Sequence, residues 1–184
     1  QWTASADATT YTLTFSAGVA DTGVDGAGIT ATAVNGAACS GDGMEFDGVD
    51  DYLDVDPWEF GGEPMTVEAY VKYDAFNSWS RIFDFGDGQS DDNVYLANYG
   101  TVALPRWSIR IGTSAKHLDS SSFYVANTWA HVVATVEGTT MRLYKDGTLT
   151  DTKTDGQEPA NLTRAQHWIG RSAWSPHQLL DEDI

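Results

Sequence analysis

The sequence predicts an all-β protein, a two-sheet antiparallel sandwich of the jelly-roll type. Three observations carry that reading. Apolar side chains recur at every second position in many short runs, the period of a strand with one buried face. Turn signals separate these runs at short intervals, and no helical period is long enough to build a βαβ unit. The runs are rich in Val, Thr, Tyr and Phe, which suit a pleated surface, while Ala, Leu, Glu and Lys do not dominate them. A chain of 184 residues fits one such domain. Residues 1–184 are therefore read as a single sandwich, with 1–8 as a linker or arm.

The first part, Gln1 to Gly43, is mostly Ala, Thr, Gly and Ser, with Trp2, Tyr11, Leu13, Phe15, Val19, Val24, Ile29 and Val34 as its sizeable apolar residues. Tyr11, Leu13 and Phe15 alternate with Thr12 and Thr14, and Ile29, Ala31 and Ala33 alternate with Thr30 and Thr32, which predicts two weak strands. From Met44 onward the pattern sharpens. Met65, Val67, Ala69, Val71 and Tyr73 are set against Thr66, Glu68, Tyr70 and Lys72, a strand with one face inward. Arg81 to Phe85, Val94 to Ala97 and Trp107 to Ile111 repeat the alternation, while Trp129 to Val136 is apolar on both faces and predicts a central strand covered on each side. Glu137-Gly138-Thr139 and Lys145-Asp146-Gly147 then mark two tight turns, the Asp-Gly pair supplying the positive φ of a type I′ hairpin. Together they predict an antiparallel meander.

Charge limits the partners. The chain carries 27 acidic and 10 basic residues, a formal net charge of −17, so nucleic acid and anionic membranes are repelled over most of the surface. The same surface suits a saline or calcium-containing exterior, or serves solubility alone. The single cysteine, Cys39, excludes an internal disulfide framework and a thiolate metal cage. It reads as a small buried residue, or as one half of a bond to a cysteine outside this sequence. No apolar run is long enough to span a bilayer, and the polar start at Gln1 lacks the pattern of a signal peptide. An exported protein would then be present here as a mature or excised piece. Asn161-Leu162-Thr163 is one N-glycosylation sequon.

Met44-Glu45-Phe46-Asp47-Gly48-Val49-Asp50-Asp51-Tyr52-Leu53 and Met65-Thr66-Val67-Glu68-Ala69-Tyr70-Val71-Lys72 resemble the opening strands of laminin G-like domains of the concanavalin A-like lectin/glucanase superfamily. Arg81 to Gly86, Trp129 to Val136, Met141 to Gly147 and Ile169 to Ser172 resemble later strands of that family in their usual order. The resemblance implies the concanavalin A-like jelly roll. For function it implies a range: lectin-like and carbohydrate-binding modules, pentraxins, adhesion domains and, more distantly, glycoside hydrolases. Family members continue past a final Gly-x-Ile-Asp-Glu-Val strand, whereas this chain stops at Asp181-Glu182-Asp183-Ile184, so the last strand reads as cut short, with an unpaired edge left beside it.

The chemistry-bearing residues divide into three sets. Hydrolases of this fold draw their carboxylates from a Glu-x-Asp-x-Glu strand, and the nearest match, Glu45-Phe46-Asp47-Gly48-Val49, has Val49 where the acid should be. The four histidines, His117, His131, His167 and His177, lie on separate segments without metal-ligand spacing, and His131 reads as a hydrogen-bonded core residue. No catalytic residue is therefore assigned. Calcium is the cofactor expected, because hard cations take several oxygen ligands and Asp47, Asp50, Asp51, Asp54 and Asp56 crowd one short stretch. Asp47 and Asp50 are the first candidates, with Asp181 as a C-terminal contributor and Asp87, Asp91 and Asp92 as a second acidic loop. A solvated acidic rim is the alternative, since an alternating strand sends every second Asp to water.

A sugar site needs an aromatic platform beside groups that bind hydroxyls. Trp79, Tyr99, Trp107 and Trp174 are the candidates, Trp79 and Trp174 lying in loops of small polar residues while Trp107, in an alternating strand, equally suits the core. Arg81, Arg106, Arg110 and Arg171 are scarce cations, and any that share a surface can hold the carboxylate or sulfate of an acidic glycan. Arg81 and Arg171 join the aromatic set as candidate ligand-binding residues. The function expected is a non-catalytic, secreted or cell-surface binding module, part of a larger multidomain parent. Its ligand is a glycan or an extracellular protein, with calcium steadying loops or bridging that ligand. A structural or adhesive repeat is the first alternative and a glycoside hydrolase the second.

Overall fold

The computed structural model describes residues 10–13, 29–40, 43–121, 123–175 and 179–184, with the backbone alone for 10–13 and 181–183. The expected arm at 1–8, together with Phe15, Val19, Val24 and His177, lies outside the described residues. Among those described there is no helix. The chain runs through β1 (Thr10–Leu13), β2 (Ile29–Val34), β3 (Ala38–Cys39), β4 (Met44–Asp47), β5 (Tyr52–Val55) and β6 (Trp58–Phe60). It continues through β7 (Met65–Tyr73), β8 (Arg81–Gly86), β9 (Val94–Tyr99), β10 (Val102–Ile111) and β11 (Ser114–Asp119). The remaining strands are β12 (Trp129–Glu137), β13 (Thr140–Lys145), β14 (Thr148–Lys153), β15 (Leu162–Arg164), β16 (Gln166–Ile169) and β17 (Asp181–Asp183).

Two antiparallel sheets face each other. One has eight strands in the order β1-β2-β5-β16-β8-β9-β10-β11, the other seven in the order β14-β13-β12-β7-β17-β4-β3, and a two-stranded ribbon, β15-β6, stands apart. Non-consecutive neighbours such as β5-β16-β8 are what a jelly roll requires, since sheet order and chain order diverge. The inward faces supply one continuous core. Leu53, Val55, Phe83, Phe85, Val94, Leu96, Trp107 and Ile109 come from the larger sheet, and Met44, Phe46, Val71, Tyr73, Val132, Ala134, Met141 and Leu143 from the smaller. At roughly 1.5–3 kcal/mol for each large apolar side chain fully buried, this layer dominates the favourable side of folding.

The hairpins form as their turn residues dictate. Glu137 pairs with Thr140 across Gly138-Thr139, and Lys145 with Thr148 across Asp146-Gly147. Asp146 and Gly147 have φ of 48° and 78°, the two positive values of a type I′ turn.

Three expectations change. β12 is central in its sheet, but only its even-numbered residues are buried, while Trp129, His131, Val133 and Thr135 are half-covered and Glu137 is exposed. His131 therefore leaves the core: its side chain is 40% exposed on the outer face, with Nε2 3.2 Å from Glu68. Cys39, read as a small buried residue or as half of a bond to a cysteine outside this sequence, is exposed on the edge strand β3, which removes the first reading. The last strand, β17, lies between β4 and β7, with Asp181 opposite Asp47 and Glu182 opposite Tyr73, and its register with β7 covers Tyr73 and Lys72.

Strand β8 also departs from simple alternation, since all six of its residues are buried. Its pairing with β9 slips between Arg81 and Phe83: Arg81 faces Ala97 and Phe83 faces Leu96, two residues of β8 against one. Strict alternation would put Arg81 on the inward face with Phe83 and Phe85. The bulge instead sends it to the outward face, the device by which sheets re-aim single side chains.

Candidate functional site

The outward face of the eight-stranded sheet is set by register. Ser108 lies opposite both Tyr95 and His117, and Asp84 lies opposite both Tyr95 and Trp168, so these five share one face. Arg106 and Arg110, two residues either side of Ser108 on β10, point the same way. Onto this cationic stretch fold two loops, one carrying Trp79 ahead of β8 and one carrying Trp174 after β16. The result is an open pocket of about 310 Å³ lined by Trp79, Arg81, Tyr95, Arg106, Arg110, His117 and Trp174.

A buried carboxylate anchors its floor. Asp84, fully buried, accepts hydrogen bonds from Arg81 Nε at 3.3 Å, Asn93 Nδ2 at 2.9 Å and the backbone N–H of Ala173 at 3.0 Å. Burial pushes its carboxyl above the usual range, opposed chiefly by the Arg81 charge. The Ala173 bond ties the Trp174 loop to the sheet. Trp174 is further fixed by its Nε1, which donates to Ser90 Oγ at 3.0 Å, and by an edge contact with Tyr95 at 5.5 Å. The Arg81 guanidinium stacks 4.1 Å from the Tyr95 ring and 5.3 Å from that of Trp174, so these side chains hold one another in place.

The opposite wall is Trp79. Its ring lies 4.7 Å from Tyr99, and the Arg106 guanidinium sits 5.0 Å from Trp79 and 4.6 Å from Tyr99. Trp79 has φ of 58°, an uncommon conformation for a bulky residue. It is held there by its N–H donating to the Gly100 carbonyl at 2.7 Å and by its own carbonyl accepting from Arg81 at 2.6 Å. Arg106 is clamped by Asp119 through two bonds of 2.6 and 2.7 Å. His117 Nδ1 lies 2.8 Å from Ser108 Oγ. Burial, and then the charges of Arg106 and Arg110, hold its pKa below the ordinary 6.5.

Of the candidate ligand-binding residues, the structure gathers Trp79, Trp174 and Arg81 around this pocket, with Tyr99 packed behind Trp79. Arg106 and Arg110, noted as scarce cations, line it too. Trp107 is fully buried in the core, its alternation with Arg106 and Ser108 turning it inward, so it offers no platform. Arg171 is not brought to the pocket: it sits between Tyr52 and Trp168, 4.5 and 4.4 Å from their rings. Sequence reasoning did not find Tyr95, Ser108 or His117 as neighbours. The signal was there in part, because Arg106-x-Ser108-x-Arg110 is a polar stripe at strand period.

A second cluster lies in the turn between β4 and β5. Carboxylate oxygens of Asp47, Asp50 and Asp51 all lie within 4.8 Å of one another. Asp47 Oδ1 accepts the N–H groups of Val49 and Asp50 at 2.8 and 3.2 Å, chiefly the former lowering its pKa, and Asp51 Oδ2 accepts the Asp47 N–H at 3.2 Å. Burial first, then the charge of Asp47, pushes the Asp51 carboxyl up. Asp181 pairs with Asp47 along the backbone. The second acidic loop is arranged differently: Asp87 Oδ1 accepts from Ala165 N–H at 2.7 Å and Asp92 Oδ1 from Gly112 N–H at 2.8 Å, each carboxylate bracing a separate loop.

Comparison with known proteins adds the following. A laminin G-type family model described as the concanavalin A-like lectin/glucanases superfamily matches residues 47–181. No curated protein sequence matches the chain. Among solved structures, domain 4 of AbnA, a GH43 extracellular arabinanase from Geobacillus stearothermophilus in complex with arabinotriose, is 14% identical with a TM-score of 0.58. The match covers 83% of this chain and 72% of that one. The Ruminococcus gnavus IT-sialidase CBM40 bound to α2,3-sialyllactose is 12% identical, TM-score 0.58, with 80% and 87% covered. The receptor-binding domain of botulinum neurotoxin C/D mosaic serotype is 15% identical, TM-score 0.62, covering 86% of this chain and 43% of that one, so this chain spans less than half of it. At these identities the likeness concerns the fold.

Proposed function

We infer that this chain, which belongs to the concanavalin A-like lectin/glucanase superfamily, is a non-catalytic glycan-binding module of an extracellular protein. One observation carries the reading: Trp79, Tyr95 and Trp174 converge with three arginines and a histidine on one open pocket, the combination that stacks a pyranose face and hydrogen-bonds its rim. The lining of that pocket contains no carboxylate, and Asp84 beneath it is engaged by three donors, which favours binding over glycoside hydrolysis. The arabinotriose- and sialyllactose-bound neighbours support the same class of ligand, and the arabinanase among them supports a place within a larger extracellular protein.

Calcium fits the Asp47, Asp50 and Asp51 cluster on two counts. Three carboxylates with oxygens this close repel one another, and among the described residues no Lys or Arg pairs with them. Hard oxygen donors on a tight turn are what calcium takes, and the ion would pin β4 to β5.

The test is a glycan-array screen of the purified chain in calcium, followed by titration calorimetry of a hit against Trp174→Ala. The variant is expected to lose at least tenfold in affinity while melting within a few degrees of the parent. Unchanged affinity would remove the pocket from the reading.

A further inference from the structure

We propose that the pocket takes a sugar bearing an anionic substituent, a carboxylate or sulfate ester, and that Arg110 is the side chain that meets the anion. The proposal rests on the glycan-binding reading above and names its ligand class.

The charges within the pocket do not balance. Arg81 is neutralised by Asp84, 3.3 Å away and fully buried with it. Arg106 is neutralised by Asp119 through a two-bond clamp. Arg110 is different. It donates Nη1 to the Thr113 carbonyl at 3.2 Å, its Nε is buried without a partner, and among the described residues no carboxylate pairs with it. Its guanidinium lies 6.0 Å from the Trp174 ring. The pocket thus carries one uncompensated positive charge beside its aromatic wall, on a chain whose formal net charge is −17.

A guanidinium presents a planar fork that matches a carboxylate or sulfate oxygen pair, and a sugar ring stacked on Trp174 would bring such a substituent toward Arg110. The acidic remainder of the surface does not cancel this attraction, because at physiological ionic strength fields from exposed charges fade over about 8 Å. His117 senses the same potential. It is faced by Arg106 and Arg110 from β10, Asp119 on its own strand and Lys153 from β14, and the cations outweigh the single acid. An anion seated at Arg110 would relieve that potential and raise the pKa of His117.

The experiment pairs acidic probes with their neutral parents. Titration calorimetry compares 3′-sialyllactose with lactose, trigalacturonic acid with its methyl ester, and galactose 6-sulfate with galactose, on the parent chain, Arg110→Gln and Arg110→Lys. At least one acidic probe is expected to bind tenfold or more tightly than its neutral partner. R110Q should shrink that ratio to about threefold or less, and R110K, keeping charge without the fork, should fall between. NMR titration of His117 should give a higher pKa with the acidic probe bound. The carboxylate and sulfate pairs separate the two sources of charge. Neutral partners binding as tightly, or R110Q keeping the full preference, would overturn the anion assignment while leaving glycan binding intact. No binding by any probe or by any glycan on the array would overturn both.

Discussion

Lowering the pH from about 7.5 to about 4.5 destabilises this protein through His167. The ring is fully buried, 3.9 Å from Trp58 and 5.3 Å from Phe85, with Nε2 2.8 Å from the Arg164 carbonyl. Its other nitrogen, Nδ1, has no partner, which fits a neutral ring donating from Nε2. Burial lowers its pKa from 6.5 to about 4. Above pH 6.5 the ring is neutral in both folded and unfolded chains, and nothing is lost. As the pH falls below 6.5 the unfolded chain binds a proton that the native chain refuses, so stability declines until about pH 4, where the native ring also charges. The interval from 6.5 to about 4 corresponds to about 3.4 kcal/mol in full, of which about 2.5 kcal/mol is lost by pH 4.5. Urea unfolding of the parent and of His167→Gln at both pH values isolates the effect, because the carboxylates titrate alike in both proteins. The parent should lose about 2.5 kcal/mol more than the variant, roughly 5–10 °C in melting temperature for a chain of this size. Equal losses would refute the neutral buried ring.

Further predictions concern the loops. Gly170 has φ of +83°, and a Cβ there would meet the Phe46 ring at 2.9 Å, so Gly170→Ala should cost about 2–4 kcal/mol in urea unfolding. It should also weaken glycan binding by displacing the Trp174 loop. Arg164 is fully buried and donates to the carbonyls of Asp92 at 2.8 Å, Phe60 at 2.9 Å and Ala160 at 2.8 Å. Arg164→Lys cannot reproduce that fork and should lose about 3 kcal/mol by the same assay. Calcium at about a hundred times its dissociation constant should stabilise the chain by about 2.7 kcal/mol over chelator. Asp51→Asn should remove that increment, read as melting temperature, without lowering stability in chelator, since burial first and the Asp47 charge second already disfavour the Asp51 carboxylate.

The fold was legible because period-two alternation is a local property: Met65 to Tyr73 and the Asp146-Gly147 turn each declare their structure within a few residues. The acidic turn was equally local, since Asp47, Asp50 and Asp51 are nearly adjacent. The pocket was legible only as parts. Trp79 and Trp174 stood out by their polar loop surroundings, but their meeting depends on β16 lying beside β8, a pairing no short window reveals. Arg81 was a candidate on its charge alone, because the bulge that aims it at the pocket is one extra residue with no reliable sequence mark. His131 misled for a different reason. An apolar neighbourhood signalled burial, yet among the described residues no second layer covers the outer side of β12, and Trp129 instead stacks on exposed Tyr70 at 4.9 Å.

The position of β17 bears on the order of assembly. Its neighbours β4 and β7 appear early in the chain, yet the ladder between them is filled by residues that emerge from synthesis after all the other strands described. Until Asp181 reaches Asp47, the smaller sheet is divided, with β3 and β4 parted from the β7–β12 meander. Contacts of such long sequence separation require closure of a long loop before they return any stabilisation, and they slow folding accordingly. The β12–β13–β14 meander, whose contacts are local, is then the natural first structure. Pairing of β17 becomes the step that joins β3 and β4 to the rest of the smaller sheet and closes the sandwich.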